Sequence, residues 1–346
     1  MKAMFLTDLR KMELRDAPEP VIEKDDQVLI KIERVGVCGS DVHYYETGRI
    51  GSQVVEYPYL VGHECSATVL EAGSAVTRVR QGDQVAVEPA MPCHHCEQCR
   101  VGRENTCYNL GFLGTPGQAD GCLCEYLVMP EECLFPLNGR ISLDQAALCE
   151  PLSIGLYSAK QANLAENAEI AVLGSGPIGL TVLASALAQG IKNVYMTDKI
   201  APRLEAARKI GAAWVGNPDS EDVVAGILEQ RPLGLDAVFE CAGEQETIDQ
   251  ALNLLKPGGK IILVGIPRID RISFRIDLLR RREVTVINIR RQNNCVQPAI
   301  DLIASGKINI DHFITHRFSL EQSQEAFELV AGYRDGVVKA MIDFPS

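Results

Sequence analysis

Four cysteines lie close together between residues 93 and 107. Cys93, Cys96 and Cys99 are separated by two residues each, and seven residues separate Cys99 from Cys107. Four thiolates on one loop suit tetrahedral Zn²⁺, and four protein ligands leave no open coordination position. The spacing therefore predicts a structural zinc ion, whose binding would help to fold a lobe with little core of its own. Two histidines inside the loop, His94 and His95, are alternative ligands. The alternative without a metal is a group of four unliganded thiols.

A second set of metal-binding residue types is dispersed along the chain. It comprises Cys38, the adjacent pair His63-Glu64, and Glu150. Adjacent residues of a strand point to opposite faces, so His63 and Glu64 can share one metal only if the backbone turns there. Spacing alone does not unite these residues, and each could equally be a packed side chain.

A glycine-rich loop indicates a nucleotide site. The run Gly174-Ser175-Gly176-Pro177-Ile178-Gly179 follows a strand-like segment and opens a helix-like one, and Asp198 ends the next strand-like segment. This context is typical of a dinucleotide fingerprint, in which the backbone approaches a pyrophosphate and the acidic residue binds a ribose diol. Asp198 favours NAD over NADP, although Lys199 and Arg203 could soften the exclusion of a 2′-phosphate. The alternative is a glycine-rich turn without a ligand.

Composition excludes several classes of protein. The 346 residues carry a formal net charge of −12, which argues against nucleic acid and an anionic membrane surface as partners. We expect no signal peptide, because the N-terminal segment lacks a sustained apolar run, and no membrane span, because no apolar run is long enough. The twelve cysteines, in a chain of this length, therefore favour metal binding over a secreted disulfide framework. We expect an acidic, soluble, cytoplasmic protein.

The chain changes texture near residue 152. Up to about residue 140 it is rich in glycine, proline and short β-branched runs, which indicate short strands and turns. Beyond residue 152, strand-like segments alternate with helix-like ones, which predicts a doubly wound parallel sheet in an α/β domain. We expect strands at 169–173, 194–197, 237–240, 260–264, 283–289 and 338–344, and helices at 178–189, 203–210, about 295–305 and 320–331.

With these residues assembled, the sequence resembles the zinc-containing medium-chain dehydrogenases, in particular the sorbitol (L-iditol) and xylitol dehydrogenase branch. The resemblance covers essentially the whole chain. Besides the glycine loop, its most specific segments are Gly36-Val37-Cys38-Gly39-Ser40-Asp41-Val42-His43-Tyr44-Tyr45, Gly62-His63-Glu64, Glu150-Pro151-Leu152-Ser153 and Thr315-His316-Arg317-Phe318.

The resemblance implies a division into two domains. A GroES-like, β-rich catalytic domain would comprise residues 1–151 and 289–346, with the structural-zinc lobe at about 90–110. A Rossmann dinucleotide-binding domain would comprise residues 152–288, with the active site in the cleft between the domains. The resemblance also implies a homo-oligomer, commonly a tetramer.

The resemblance further implies a catalytic zinc bound by Cys38, His63 and Glu64. Glu150 takes the place of a second ligating cysteine and contacts the bound water or the substrate, and the neighbouring Cys149 is a less favoured ligand. Zinc would activate a secondary hydroxyl, and hydride would pass to the nicotinamide. Proton acceptance by Ser40 and relay to solvent by His43 follow from the same resemblance. Implied cofactor contacts, besides the glycine loop and Asp198, are Ile178, Arg203, Val264, Gly265, Ile266 and Arg291.

The substrate implied by the resemblance is a small polyol. Its contacts would be Tyr44, Glu150 and Arg291, and the chain has Gln292 where polyol enzymes usually carry a tyrosine. That replacement leaves the preferred polyol open. The alternatives are a vicinal-diol or threonine dehydrogenase, a zinc-free quinone or enoyl reductase, and a non-catalytic NAD-binding relative.

Overall fold

The computed structural model of the chain describes residues 1–345. The chain folds into two compact units. The first comprises residues 1–150, 296–305 and 310–345, and the second comprises residues 151–295 and 306–309. Within the described residues, no helix combines the length and the apolar character needed to cross a membrane.

The N-terminal part of the first unit is rich in short strands. They are β1 Lys2–Asp8, β2 Lys11–Asp16, β3 Gln27–Gly36, β4 Arg49–Ile50, β5 Gln53–Val54, β6 Tyr59–Leu60, β7 Glu64–Ala72, β8 Gln84–Val87, β9 Ala90–Met91, β10 Gly111–Phe112, β11 Tyr126–Pro130 and β12 Leu134–Pro136. The helices are α1 Gly39–Thr47, α2 Glu97–Arg100, α3 Leu143–Ala147 and α4 Cys149–Ala162, the last of which runs on into the second unit, and 3₁₀ turns lie at Glu104–Thr106 and Glu131–Cys133.

The second unit is an α/β domain. Its further elements are β13 Glu169–Leu173, α5 Pro177–Ala188, β14 Asn193–Thr197, α6 Ala201–Ile210, β15 Trp214–Gly216, α7 Val223–Gln230, β16 Leu235–Glu240, α8 Gln245–Leu254, β17 Leu255–Leu263, α9 Ile276–Arg281 and β18 Thr285–Asn288. The six strands form one parallel sheet in the order β15-β14-β13-β16-β17-β18. The predicted doubly wound parallel sheet is therefore confirmed.

The C-terminal elements return to the sheet of the first unit. They are α10 Val296–Ala304, β19 Ile314–Ser319, α11 Ser323–Ala331 and β20 Lys339–Asp343, with 3₁₀ turns at Asp311–Phe313, Leu320–Gln322 and Arg334–Gly336. The main sheet has the order β12-β8-β7-β3-β20-β19, and β11 also pairs with β3. The central strand β3 buries Val28, Ile30 and Ile32 in the core of this unit.

Candidate active site and metal centres

The four cysteine sulfurs of the loop are gathered at one point. The Sγ–Sγ distances are 3.5 Å for Cys96–Cys99, 3.8 Å for Cys96–Cys107 and 3.4 Å for Cys93–Cys107. A tetrahedral site with Zn–S bonds of about 2.3 Å has sulfur–sulfur edges of about 3.8 Å. The backbone amide of Cys93 donates to Cys107 Sγ at 3.3 Å, which steadies one corner of the group. These four residues fit a closed zinc site.

The electrostatics of the four thiols also suit a cation. Backbone donation from His95, followed by that from Cys96, lowers the pKa of Cys93 to about 5, whereas burial and neighbouring thiols raise the pKa of Cys99 to about 12. Ionised thiols this close repel one another, and a dication supplies the missing positive charge.

Neither alternative ligand is directed at the cluster. The two ring nitrogens of His94 lie 3.1 Å from Glu104 Oε1 and 2.8 Å from Glu132 Oε1. The Nδ1 atom of His95 lies 2.6 Å from the Cys93 carbonyl oxygen. The histidines therefore brace the loop, and the four sulfurs remain the ligand set.

The structure brings together the second set of metal-binding residues. Ligand atoms of Cys38, His63 and Glu64 lie within 4.8 Å of one another. Cys38 lies between the end of β3 and the start of α1, and Glu64 begins β7. Gly62 has a φ of +103°, so the backbone turns just before His63 and meets the condition for two adjacent ligands. The residue types, one thiolate, one imidazole and one carboxylate, fit a zinc ion with an open position.

One carboxylate and one hydroxyl, those of Asp41 and Ser40, contact this group and orient its ligands. Asp41 is buried, and its Oδ1 lies 3.2 Å from His63 Nδ1, which leaves Nε2 as the nitrogen available to a metal. The hydroxyl of Ser40 donates to Cys38 Sγ at 3.3 Å. Burial lowers the pKa of His63, but the Asp41 carboxylate and the Cys38 thiolate raise it well above its ordinary value. A bound dication would oppose that protonation, because a ligating imidazole is neutral.

A buried ammonium contacts the third member of the group. Lys339 Nζ donates to Glu64 Oε1 at 2.8 Å, to Glu64 Oε2 at 2.5 Å and to the Val37 carbonyl oxygen at 3.1 Å. Burial lowers the pKa of Lys339, but Glu64, Cys38 and Glu150 raise it above its ordinary value. Sequence reasoning singled out neither Lys339 nor Asp41. The available signal for Lys339 was a lysine at the start of a C-terminal strand whose next three residues are apolar.

Several other residues implied by the resemblance belong to the first unit. Glu150 is buried in the first turn of α4, outside the set of three ligands. His43 and Tyr44 lie on α1, where Tyr44 is buried against Tyr59 and donates from its hydroxyl to Gln53 Oε1 at 3.3 Å. Cys149 is buried, and its thiol donates to the Gln145 carbonyl oxygen at 3.3 Å, away from a metal role.

The glycine loop of the second unit has the geometry of a nucleotide-binding turn. Gly174 has a φ of +100°, and a Cβ at Gly179 would lie 1.8 Å from the Gly174 carbonyl oxygen, so no larger residue fits. Asp198 follows β14 and accepts hydrogen bonds from Ser175 N at 2.7 Å and Ile200 N at 2.8 Å. The carboxylate therefore fixes the loop and marks the edge of the site. Arg203 is buried on α6, beside Gly176.

Two further turns, those that follow β16 and β17, lie at the carboxyl end of the same sheet. The amides of Val264 and Gly265 donate to the Glu240 carbonyl oxygen at 2.9 Å. The Glu240 carboxylate accepts from Gly243 N at 2.7 Å, and Ile266 is half exposed.

Two further residues of the second unit were predicted to contact the ligands. Arg291 has a φ of +53°. Gln292 is buried, and its Oε1 accepts from Cys295 N at 2.8 Å just before α10. The Gln292 side chain thus supports the local backbone in addition to any contact with substrate.

A parallel sheet with a glycine-loop nucleotide site, joined in one chain to a β-rich unit with two metal-binding groups, defines a metal-dependent, dinucleotide-linked dehydrogenase. Residues 24–139 match the alcohol dehydrogenase GroES-like domain, and residues 177–305 match the zinc-binding dehydrogenase family.

Several known proteins are similar to this chain over nearly its full length. Sorbitol dehydrogenase of Bacillus subtilis strain 168 is 37% identical over 99% of this chain and 97% of its own. D-xylulose reductase A of Aspergillus oryzae is 36% identical over 95% of this chain and 94% of its own. The crystal structure of ECK1772 from Escherichia coli, an oxidoreductase/dehydrogenase of unknown specificity, superposes with a TM-score of 0.93 at 33% identity, covering 100% of this chain and 99% of the other. The chain belongs to the zinc-containing medium-chain dehydrogenase family, in the branch of the sorbitol dehydrogenases and D-xylulose reductases.

Proposed function

We propose that this protein oxidises a secondary hydroxyl of a small polyol, sorbitol-like or xylitol-like, to the ketose and transfers the hydride to NAD. The observation that carries the proposal is the group formed by Cys38, His63 and Glu64, together with the buried Glu150, whose charge helps to raise the pKa of Lys339. The names of the relatives, sorbitol dehydrogenase and D-xylulose reductase, support a polyol as substrate.

Zinc bound to Cys38, His63 and Glu64 would act as a Lewis acid that makes the substrate hydroxyl more acidic. The chain's own residues then handle the proton. The Ser40 hydroxyl donates to Cys38 Sγ in this structure; in the relay it would accept the proton of the substrate hydroxyl and donate its own proton towards His43 instead. His43 lies one helical turn along α1 and is suited to relay the proton to solvent, since imidazole titrates near neutral pH.

Substrate selection would depend on groups that hydrogen-bond to several hydroxyls. We assign Tyr44, Glu150, Arg291 and Gln292 to this role, with Glu150 contacting the hydroxyl that reacts or the water it displaces. A site built from hydrogen-bonding groups rejects a substrate that lacks the matching hydroxyl far more strongly than an apolar site rejects an extra methylene.

We propose that the second unit binds NAD in preference to NADP. The Asp198 carboxylate would accept hydrogen bonds from the adenosine ribose diol and repel a 2′-phosphate. The turns at Gly174–Gly179 and Val264–Ile266, together with Arg203 and Arg291, complete the proposed cofactor contacts. The first unit, including the C-terminal strands, would carry the metal and the proton relay.

A substrate screen tests this proposal. We expect the purified protein, with NAD, to reduce the cofactor with one or more polyols such as sorbitol or xylitol, and to react much more slowly with NADP. Faster reaction with 2,3-butanediol or L-threonine would replace the polyol by the alternative substrate class. Absence of NAD reduction across the whole panel, despite full zinc occupancy, would favour a non-catalytic relative.

We also propose that the active protein is a cytoplasmic homotetramer, on the strength of the family resemblance. Light scattering of the purified chain measures the oligomeric mass directly, and a monomer would contradict the assignment.

A further inference from the structure

Lys339 is a buried cation with no part in the proton relay or the substrate contacts. It is the first residue of β20 and is 2% exposed. An ammonium has three protons, and three oxygens lie within hydrogen-bond distance of Nζ: both carboxylate oxygens of Glu64 and the carbonyl oxygen of Val37. The charge is therefore fixed in place.

Stability alone does not account for this lysine. A buried ion pair contributes little net stability compared with apolar residues of similar volume, because desolvation offsets the attraction. The other residues at this end of the strand, Ala340, Met341 and Ile342, are buried and apolar. An apolar residue at position 339 would continue that pattern.

The Glu64 carboxylate is held between two neighbours. Since Nζ is 2.8 Å from Oε1 and 2.5 Å from Oε2, it lies between the two oxygens, where a bidentate metal would otherwise lie. On another side the carboxylate lies against Gly36. A Cβ at Gly36 would come within 2.4 Å of Glu64 Oε2, so a larger residue there would collide with the carboxylate. Glu64 nevertheless keeps an oxygen within 4.8 Å of the ligand atoms of Cys38 and His63.

We propose that Lys339 is a positioning residue that competes with the catalytic metal for the Glu64 carboxylate and thereby keeps Glu64 a weak, exchangeable ligand. The inference rests on the proposed catalytic zinc at Cys38, His63 and Glu64. A fixed positive charge next to one ligand repels a dication and withdraws electron density from that ligand. Removal of the charge should therefore tighten the catalytic metal, whereas removal of a purely structural residue would loosen it.

Zinc release to a chromogenic chelator distinguishes these two outcomes. The wild-type protein should release two zinc ions per chain in two kinetic phases, which Cys38→Ser and Cys96→Ser assign to the two sites by eliminating one phase each. In Lys339→Met we expect the catalytic phase to slow by about 10- to 100-fold. Mutations of residues bound to metal ligands commonly change metal affinity by that factor, usually as a loss; the opposite sign is expected here because the removed neighbour is a cation. The phase from the cysteine lobe should stay unchanged and serves as the internal control. An unchanged or faster catalytic phase would overturn the proposal.

Three further variants serve as a control for charge, as a substitute if Lys339→Met does not fold, and as a test that the effect depends on Glu64. Lys339→Arg retains the charge and should release zinc at nearly the wild-type rate. Lys339→Gln retains a donor for Glu64 without the charge and carries the same expectation as Lys339→Met, should the latter fail to fold. In a Glu64→Gln background, Lys339→Met should have a much smaller effect, because the competition has been removed. A wild-type chain that binds only one zinc ion would contradict the proposed function, whereas a fast-releasing Lys339→Met beside a two-zinc wild type would contradict only this inference.

Discussion

Replacement of Gly36 by alanine tests how closely the Glu64 carboxylate is confined. Gly36 pairs with Glu64 across the β3–β7 ladder, so the two backbones cannot easily separate. An added Cβ would lie 2.4 Å from Glu64 Oε2 and 3.3 Å from Glu64 Cβ, and contacts shorter than 3.0 Å are essentially never seen for real Cβ atoms. The carboxylate is the group that can move, and its movement would carry it away from Lys339 and from Cys38.

The magnitude follows from the interactions that would be lost. Separation of a buried, hydrogen-bonded ion pair costs about 3–5 kcal/mol, and crowding in a packed interior adds about 1–3 kcal/mol. We therefore expect Gly36→Ala to lower the melting temperature and to release the catalytic zinc faster than the wild type, while the cysteine lobe keeps its own zinc. Metal analysis and thermal unfolding measure both effects.

Gly39→Ala is the matched control for this substitution. A Cβ at Gly39 would meet no atom within 4 Å, and neither glycine has a positive φ. The Gly39→Ala variant should therefore keep both zinc ions and nearly the wild-type melting temperature. If Gly36→Ala behaves in the same way as Gly39→Ala, the confinement of Glu64 described above is refuted.

Three further substitutions test the separate sites. Cys38→Ser should abolish turnover while leaving the circular dichroism spectrum unchanged, and wild-type rates would remove Cys38 from the active site. Cys96→Ser should lower the melting temperature or disrupt assembly, since the binding free energy of a structural zinc contributes to folding; an unchanged melting temperature would argue against that zinc. Asp198→Ala removes a carboxylate that accepts two backbone hydrogen bonds, and each such bond contributes about 1.5–3 kcal/mol to stability. It should lower the kcat/KM ratio of NAD to NADP, and an unaltered ratio would show that another residue sets cofactor preference.

Local patterns predicted the alternating strands and helices of the α/β domain, but not β15, α7, α8 and α9. Each predicted strand and helix beyond residue 152 corresponds to an observed element, with ends that differ by a few residues. The largest differences are β17, which starts at Leu255 rather than 260, and the segment 320–331, which begins with a 3₁₀ turn before α11. Strand alternation with helices, and the glycines that end the helices, are properties of short windows of sequence.

The two metal groups differ in how much of them the spacing could predict. The four cysteines of the lobe lie within fifteen residues, so their proximity follows from chain connectivity. Cys38 and Glu64 come together only because Gly36 pairs with Glu64 when β3 and β7 form their ladder. Such a register is a long-range property, which the family resemblance supplied and the spacing did not.

Lys339 was beyond either kind of reasoning. It is separated from Glu64 by 275 positions and reaches it because β20 pairs with β3 near Gly36. The local sequence shows only a lysine followed by three apolar residues and an aspartate. The same strand pairing explains why the C-terminal segment, whose place the sequence texture left open, belongs to the sheet of the first unit.

Zinc-dependent reduction of NAD by a polyol tests the central claim most directly. The protein would be stripped of its catalytic zinc by a chelator, assayed with sorbitol, xylitol and NAD, and assayed again after zinc is restored with the cysteine lobe still loaded. We predict NADH formation only when the catalytic zinc is present, and far less with NADP. Equal rates with and without that zinc, or no NADH from any polyol at two zinc ions per chain, would contradict the account.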